Sequence, residues 1–177
     1  MAPTQVTIEC VKGDIANQPD IDAVVNAANA QLRTGGGVAG ALHRAAGPGL
    51  AEECRPLAPI KPGQAVISGA HNLPNRHVIH CLGPVYGVDE PSDELLAACY
   101  RNALILAEEH ELTSVAFPSL STGAFGYPMK EATRIALSTV IDASRNCQYL
   151  RLIRFVLFDD NATDLHRQTL EDLQRQG

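Results

Sequence analysis

Two glycine-containing stretches of the sequence have the residue types of an anion-binding loop. In residues 25–47, two asparagines end an apolar run and three consecutive glycines open a helix-like pattern. In residues 119–127, two glycines follow a Ser-Leu-Ser-Thr run, and Pro128 then stands where a helix would have its first residue. Glycine lets backbone N–H groups approach a ligand closely, and a helix N-terminus adds unpaired donors and a positive dipole end. Both stretches suit a phosphate or pyrophosphate, although a loop and a core helix without a ligand also explain the first.

Other phosphate-binding and hydrolytic motifs fit the sequence less well. Gly35, Gly37 and Gly40 match the spacing of the dinucleotide fingerprint, but residues 30–34 separate them from the preceding apolar run. No acidic residue ends a strand about 20 residues further on, and the P-loop and HExxH patterns are absent from the sequence. Ser121 lacks the glycine two positions earlier that a nucleophile elbow needs. The sequence therefore disfavours a Rossmann oxidoreductase and a serine hydrolase.

The elements that must position these loops alternate along the chain. Apolar runs predict strands, and segments with apolar residues on one face predict the helices between them. We predict strands over residues 6–11, 21–26, 65–68, 77–82, 114–117 and 150–158, and helices over about 37–46, 50–57, 91–109, 128–143 and 160–173. This alternation indicates an α/β fold, in which helices cover both faces of a largely parallel or mixed sheet. We expect residues 1–177 to form one domain.

Four polar or glycine-rich segments follow predicted strands. They are residues 14–15, 26–37, 121–127 and 158–161. In open α/β sheets, ligands bind outside the carboxyl ends of the strands. We therefore expect these four segments to form one composite site.

The composition restricts the partners and the compartment. The chain has 14 Lys and Arg against 20 Asp and Glu, a formal net charge of −6, which disfavours nucleic acid and anionic membranes as partners. Residues 1–12 lack a signal-peptide pattern and no 18-residue apolar run occurs, so we expect a cytoplasmic protein. We also expect a monomer. The five cysteines show no close pair, and His77 and His80 would point to opposite faces of a strand. We therefore expect neither a metal site nor a cofactor.

A series of motifs, in order along nearly the whole chain, resembles the macrodomain family and its MacroD-like branch in particular. These motifs are Gly13-Asp14-Ile15, Asn26-Ala27-Ala28-Asn29, Gly35-Gly36-Gly37-Val38, Ala41-Leu42-His43-Arg44-Ala45-Ala46-Gly47-Pro48, Val78-Ile79-His80 with Gly83-Pro84, and residues 121–128. The resemblance implies a three-layer α/β/α sandwich with a mixed central sheet that binds ADP-ribose.

The resemblance also implies roles for individual residues. Asp14 would accept a hydrogen bond from the adenine amino group, Ile15 would offer its backbone, and Phe158 would pack against the adenine ring. Asn29 would bind the distal ribose, and Asn26 is a further candidate ligand-binding residue. Two loops would wrap the pyrophosphate and this ribose, and their residues are Gly35, Gly36, Gly37 and Val38 in the first and Ser121, Thr122, Gly123, Ala124 and Phe125 in the second. Purely structural roles stay open for the asparagines, as do a turn for Asp14 and core packing for Phe158.

One position departs from the MacroD-like pattern. That pattern has Gly-Gly-Gly-Val-Asp-Gly, whereas this sequence has Ala39 in place of the aspartate, so the carboxylate proposed for catalysis is missing. His43, one helical turn further on, is retained, although it could equally be a packing residue. The string Gly-Gly-Gly-Val-Ala-Gly-Ala-Leu also resembles some viral macrodomains, which imply hydrolase activity without that aspartate. Asn29 and His43 are therefore our candidate catalytic residues.

Two functions follow from the resemblance. An enzyme would hydrolyse an ester at the distal ribose, acting on ADP-ribosylated proteins modified at acidic side chains or on O-acetyl-ADP-ribose. A reader module would only hold the modification, and Ala39 favours this second function. We expect the enzyme, because ligand phosphates and a positioned water perform part of the work of a general base.

Overall fold

The computed structural model describes residues 5–176, so the first four residues of the stretch examined for a signal peptide lie outside the described residues. Within the described part, six strands form one sheet in the order β1-β6-β5-β2-β4-β3. The strands are β1 (Thr7–Lys12), β2 (Ala23–Ala27), β3 (Ala65–Gly69), β4 (His77–Cys81), β5 (Ser114–Phe117) and β6 (Leu152–Leu157). The helices are α1 (Gly37–Ala46), α2 (Pro48–Cys54), α3 (Ser92–Glu109), α4 (Met129–Ser144) and α5 (Asp160–Gln176), with a 3-10 turn at Arg55–Leu57.

The sheet is mixed and both of its faces are covered. All neighbouring strands are parallel except β3, which runs antiparallel to β4 at one edge. Helices α1 and α2 pack on one face through Leu42 and Leu50, whereas α3, α4 and α5 supply the core of the other face. Residues of β5 are buried on both sides, which explains why central strands read as continuous apolar runs. The expected three-layer α/β/α sandwich is therefore confirmed.

The start and end of α1 are set by glycines. Gly37 has φ of +55°, a left-handed conformation that favours glycine, and Gly36 before it is extended. The helix ends at Ala46, because Gly47 again has a positive φ of 84° and Pro48 starts a new helix. The chain thus turns sharply on both sides of a ten-residue helix. The turn at the start of α1 places Gly35, Gly36 and Gly37 at the carboxyl end of the sheet.

Element boundaries differ from the predicted ones at two places that matter for the site. The predicted strand 150–158 begins at Leu152 and ends at Leu157, so Phe158 lies outside the sheet with 76% of its surface exposed. The predicted helix 50–57 begins at Pro48 and tightens into a 3-10 turn at its end. Within residues 5–176, no helix combines the length and apolarity that crossing a bilayer requires.

Candidate functional site

A cleft of about 780 Å³ lies at the carboxyl ends of the parallel strands. Its volume is in the range of small-molecule sites, and its walls come from the segments that follow β1, β2, β4, β5 and β6. The four segments expected to meet therefore do so. Of the residues proposed in advance, those that line the cleft are Asp14, Ile15, Asn29, Gly35, Gly36, Gly37, Val38, Ser121, Thr122, Gly123, Ala124, Phe125 and Phe158.

The glycine loop, residues 35–38, leads into α1 and offers backbone donors rather than charged side chains. No side chain caps the N-terminus of α1, so the first N–H groups of this helix remain available to an anion. Asp14 is the one ionisable side chain among the described residues that line the cleft. An anionic ligand here would be held by amides and by the helix end, without lysine or arginine.

Close packing holds this loop against the helix that follows it. A Cβ atom built on Gly40 would collide with the carbonyl oxygen of Gly35 and would lie 3.0 Å from Nη1 of Arg44. Glycine at position 40 therefore allows the loop backbone to lie directly on α1. The contact between Gly40 and Gly35 therefore helps to fix the conformation of the loop.

The second loop, residues 121–125, is braced by its own side chains and backbone. Thr122 Oγ1 donates to Ser119 Oγ at 2.9 Å, and the N–H of Tyr127 donates to the carbonyl of Ser121 at 2.9 Å. The Ser121 hydroxyl is buried in the cleft wall and has no hydrogen-bond partner among residues 5–176. Buried polar atoms are normally paired, so this hydroxyl, whose oxygen is covered by the protein, is one of the few exceptions among the described residues.

The wall that follows β1 and β6 combines a carboxylate and an exposed aromatic ring. Because these strands are neighbours, Asp14 and Phe158 follow adjacent positions in the sheet. Asp14 Oδ1 accepts the N–H of Ala16 at 2.9 Å, which fixes the carboxylate in a tight turn. An aromatic face beside a carboxylate acceptor suits a flat heterocycle that carries an amino group.

Asn29 shapes the loop between β2 and the glycines. Its Oδ1 accepts the N–H of Arg33 at 3.0 Å, and its Nδ2 donates to the carbonyl of Arg33 at 2.8 Å. The amide keeps a second hydrogen and a second lone pair for another partner. Asn29 therefore closes the loop and still offers polar atoms to the cleft that it lines.

Asn26 lies outside the cleft lining and has a partner in the interior. It is 1% exposed and pairs in register with His80 of β4. Its Nδ2 lies 3.0 Å from Nδ1 of His80, whose Nε2 lies 2.9 Å from Ser68 Oγ and 3.4 Å from Cys54 Sγ. With Asn26 as the donor, the Nε2–H of His80 donates to Ser68. The position of Asn26 is thus that of a buried structural amide.

His43 also lies outside the cleft lining. It is 6% exposed in α1, and its Nε2 has no partner within the described chain. Burial lowers the pKa of His43. Burial also lowers the pKa of His80 to about 4, with a smaller contribution from His43. Both imidazoles are therefore neutral near pH 7, behind the cleft wall rather than in it.

The comparisons with known proteins decide the family. The family model for the Macro domain matches residues 25–136. The chain is 45% identical to a Macro domain-containing protein of Chlorobaculum tepidum over 169 residues, which cover 95% of this chain and 98% of that protein. The chain belongs to the macrodomain family. The family expectation drawn from the sequence motifs is therefore confirmed.

Two further relatives carry information about ligands and activity. This macrodomain is 42% identical over 168 residues to a protein of Salmonella newport named O-acetyl-ADP-ribose deacetylase, which covers 92% of this chain and 93% of that protein. A solved variant of the Oceanobacillus iheyensis macrodomain with ADPR has a TM-score of 0.93 and 37% identity, and the match covers 99% of this chain and 97% of that chain.

Ala39 and a few other residues complete the cleft of this macrodomain. Ala39 lines the cleft from the first turn of α1 and is 5% exposed. Its methyl group gives this part of the wall no proton acceptor. Ser119, from the second glycine-containing stretch, also lines the cleft, as do Gly83 and Ala162, which we did not expect there. The position of Gly83 directly after a predicted strand was the signal that could have found it, whereas Ala162 lies inside a helix and gave none.

Proposed function

We propose that this macrodomain binds ADP-ribose in the cleft and hydrolyses an ester at the distal ribose. The substrates would be proteins that carry mono-ADP-ribose on acidic side chains, O-acetyl-ADP-ribose, or both. The observation that carries the proposal is the cleft itself, in which two loops rich in free backbone donors lie next to Asp14 and Phe158. The ADPR complex of a variant of the Oceanobacillus iheyensis macrodomain supports the binding part, and the name of the Salmonella newport relative, O-acetyl-ADP-ribose deacetylase, supports the hydrolysis.

In this proposal each wall of the cleft binds one part of the ligand. Asp14 and the backbone of Ile15 bind the adenine edge, and Phe158 stacks on the ring. The pyrophosphate lies between residues 35–38 and 121–125, where amides and the N-terminus of α1 stabilise its charge. The distal ribose lies against Asn29, whose remaining amide hydrogen and lone pair bind its hydroxyls.

The chemical step needs an activated water. A water oxygen attacks the acyl carbon of the ester, the bond from that carbon to the ribose oxygen breaks, and the ribose oxygen receives a proton. Asp14, at the adenine wall, is too remote in this arrangement to accept the proton of the water, and Ala39 cannot accept it. The water would be held by the phosphates of the ligand and by Asn29. A positioned proton acceptor typically accelerates a reaction by about 10² to 10⁴-fold. Because the cleft has no such acceptor near the distal ribose in this arrangement, we propose that the protein is a slow hydrolase.

Titration calorimetry tests the binding part of this proposal. We expect ADP-ribose to bind more tightly than ADP or NAD, and equal affinities would contradict the proposal. Gly123→Leu is the matched inactive variant, since a Cβ atom at this position meets no protein atom within 4 Å and lies in the cleft wall. The variant should keep the thermal stability of the native protein while losing ADP-ribose binding.

A reader module is the second candidate function. It is favoured by the absence of any ionisable side chain except Asp14 from the part of the cleft that the described residues line. Release of ADP-ribose from an auto-modified protein, and of acetate from O-acetyl-ADP-ribose, distinguishes the two. Release that is abolished by Gly123→Leu supports the enzyme. Tight binding with release no faster than the uncatalysed rate supports the reader.

A further inference from the structure

We propose that Gln18 is a positioning residue that sets the preference of the cleft for adenine, and that Arg154 holds Gln18 in place. This inference rests on the proposed ADP-ribose binding, in which Asp14 reads the adenine amino group. Gln18 does not line the cleft. It is buried, with 7% of its surface exposed, and contacts the segment that carries Asp14 from behind.

The side chain of Gln18 joins the Asp14 turn to the sheet. Its Nε2 donates to the carbonyl oxygen of Asp14 at 2.9 Å, and its Oε1 accepts from Nη1 of Arg154 at 2.9 Å. The same Asp14 carbonyl accepts the N–H of Asn17 at 2.9 Å, so the turn is held by two donors. Through Gln18, the backbone of residue 14 is therefore tied to Arg154 of β6, which lies 136 residues from Gln18 in the sequence.

Arg154 is a firm anchor for this tie. It lies in β6 opposite Glu9 of β1, and its Nε donates to Glu9 Oε1 at 3.1 Å. Nη1 and Nη2 donate to the two carboxyl oxygens of Asp20 at 2.9 and 2.8 Å. The hydrogen bonds to Asp20 and Glu9 raise the pKa of Arg154. Paired with two carboxylates and 15% exposed, the guanidinium has little freedom to move away from Gln18.

The backbone of Gln18 is fixed independently. Nδ2 of Asn75 donates to the carbonyls of Gln18 and Ile21, both at 2.8 Å. With its backbone and its side chain both fixed, Gln18 holds the Asp14 carbonyl at one place. Asp14 Oδ1 is bound by Ala16, so the orientation of the carboxylate follows the backbone of the turn. A shift of the turn would therefore move the acceptor that the adenine amino group needs.

This position requires a group that donates and accepts at the same time. A glutamine amide donates to the Asp14 carbonyl and accepts from Arg154, whereas a glutamate of the same shape can only accept. Gln18→Glu keeps the pairing with Arg154 but places a carboxylate against the carbonyl of Asp14. The turn must then move, while the sheet and its ion pairs stay in place.

The test compares the affinities of ADP and IDP, which differ in that hypoxanthine carries a carbonyl oxygen where adenine carries its amino group. A carboxylate that would face the carbonyl oxygen of hypoxanthine instead of a donor makes IDP binding costly, so we expect native protein to prefer ADP by about tenfold or more. In Gln18→Glu the ratio of the affinities for ADP and IDP should fall to about threefold or less, because the moved Asp14 turn no longer presents its acceptor to the adenine amino group. Both ligands carry the same charge and fill the same site, so the ratio is insensitive to the added charge and to the fraction of folded protein.

Two variants complete the design. Gln148→Glu adds the same charge at an exposed residue of the α4–β6 connection, at the opposite ends of the strands from the cleft, and should leave the ratio unchanged. Gln18→Ala should lower the ratio with no added charge. A native preference that Gln18→Glu and Gln18→Ala both retain would overturn the inference, as would a native protein that binds ADP-ribose without distinguishing ADP from IDP. If native protein bound neither ADP nor ADP-ribose, the proposed function itself would fail.

Discussion

At position 39 a methyl group faces the cleft from the first turn of α1, four residues before the buried His43. A carboxylate introduced there would be stabilised in its ionised form by the helix N-terminus. We expect Ala39→Asp to accelerate ester hydrolysis by about tenfold or more, a discounted part of the usual range because the surroundings were not built around a carboxylate. The affinity for ADP-ribose should change little. Single-turnover release of ADP-ribose measures the rate, and calorimetry measures the affinity.

The matched control is Ala39→Asn, which has nearly the same shape as Ala39→Asp but cannot accept a proton from water. Equal rates in the two variants would show that a carboxylate at this position does not activate water. His43→Ala provides a double-mutant cycle with Ala39→Asp. His43→Ala should lower the rate of hydrolysis more in the Ala39→Asp background than in the native protein, because the imidazole of His43 would there have a charged neighbour at i−4.

The positions of single residues in the cleft were predictable where the sequence places them in a glycine loop or at a strand end. Asp14 comes shortly after the first apolar run and Phe158 ends the last one, and both line the cleft. The partner of Asn26 was not predictable, because the register of β2 against β4 places His80, 54 residues away in the sequence, opposite Asn26. His43 carries no local signal that separates a cleft-facing side chain from a buried one on the same helix.

At the scale of elements, the glycine loop and α1 behave as one unit through the contact between Gly40 and the carbonyl of Gly35. Alanine in place of glycine inside a helix normally stabilises it by about 1 kcal/mol. Here we expect Gly40→Ala to weaken ADP-ribose binding by about tenfold or more, because the new methyl group displaces the loop whose amides would hold the pyrophosphate in the proposed complex. Calorimetry and thermal unfolding of the variant measure both effects.

Arg44 supplies the control for this prediction, since its guanidinium is the other atom group near the new Cβ. The binding defect of Gly40→Ala should persist in an Arg44→Ala background, because the collision with Gly35 involves backbone. Full recovery of affinity in the double variant would instead assign the defect to the arginine. A raised melting temperature with unchanged affinity would show that the loop is free to move off the helix.

Most elements were predictable because their signals are local, but the order of the strands was not. Hydrophobic periodicity and proline or glycine at the ends locate α1, α3 and β5 within one or two residues. Pairing of β1 with β6 joins residues 145 apart in the sequence, and no short-range pattern encodes it. The end of the last strand was misjudged because Phe158 continues the apolar run, although it projects into solvent beside the cleft.

For the whole molecule, the buried histidines make folding sensitive to mild acid. The pKa of His80 falls from its ordinary value of 6.5 to about 4, mainly because of burial. Between these two values the unfolded chain binds a proton that the folded protein excludes, so the free energy of unfolding rises with pH and this contribution is complete above 6.5. His80 alone should account for roughly 3 kcal/mol between pH 4 and pH 7.

Urea unfolding at several pH values tests this assignment. His80→Gln removes the titrating group, so the stability of the variant should depend less steeply on pH over this window. His110→Gln, at an exposed position after α3, should keep the native pH dependence. Identical slopes for native protein and His80→Gln would assign the acid sensitivity to other groups, of which His43 and His166 also have a pKa lowered by burial.

A site that binds anions through backbone amides has an uncommon response to ionic strength. Dissolved salt weakens attraction between a ligand and lysine or arginine side chains, but here such side chains are absent from the described lining and the protein carries a formal net charge of −6. The long-range force on an approaching pyrophosphate is therefore repulsive, and salt screens it. Stopped-flow measurements should show an association rate for ADP-ribose that rises modestly with salt, whereas a steep fall would reveal a cationic side chain that guides the ligand.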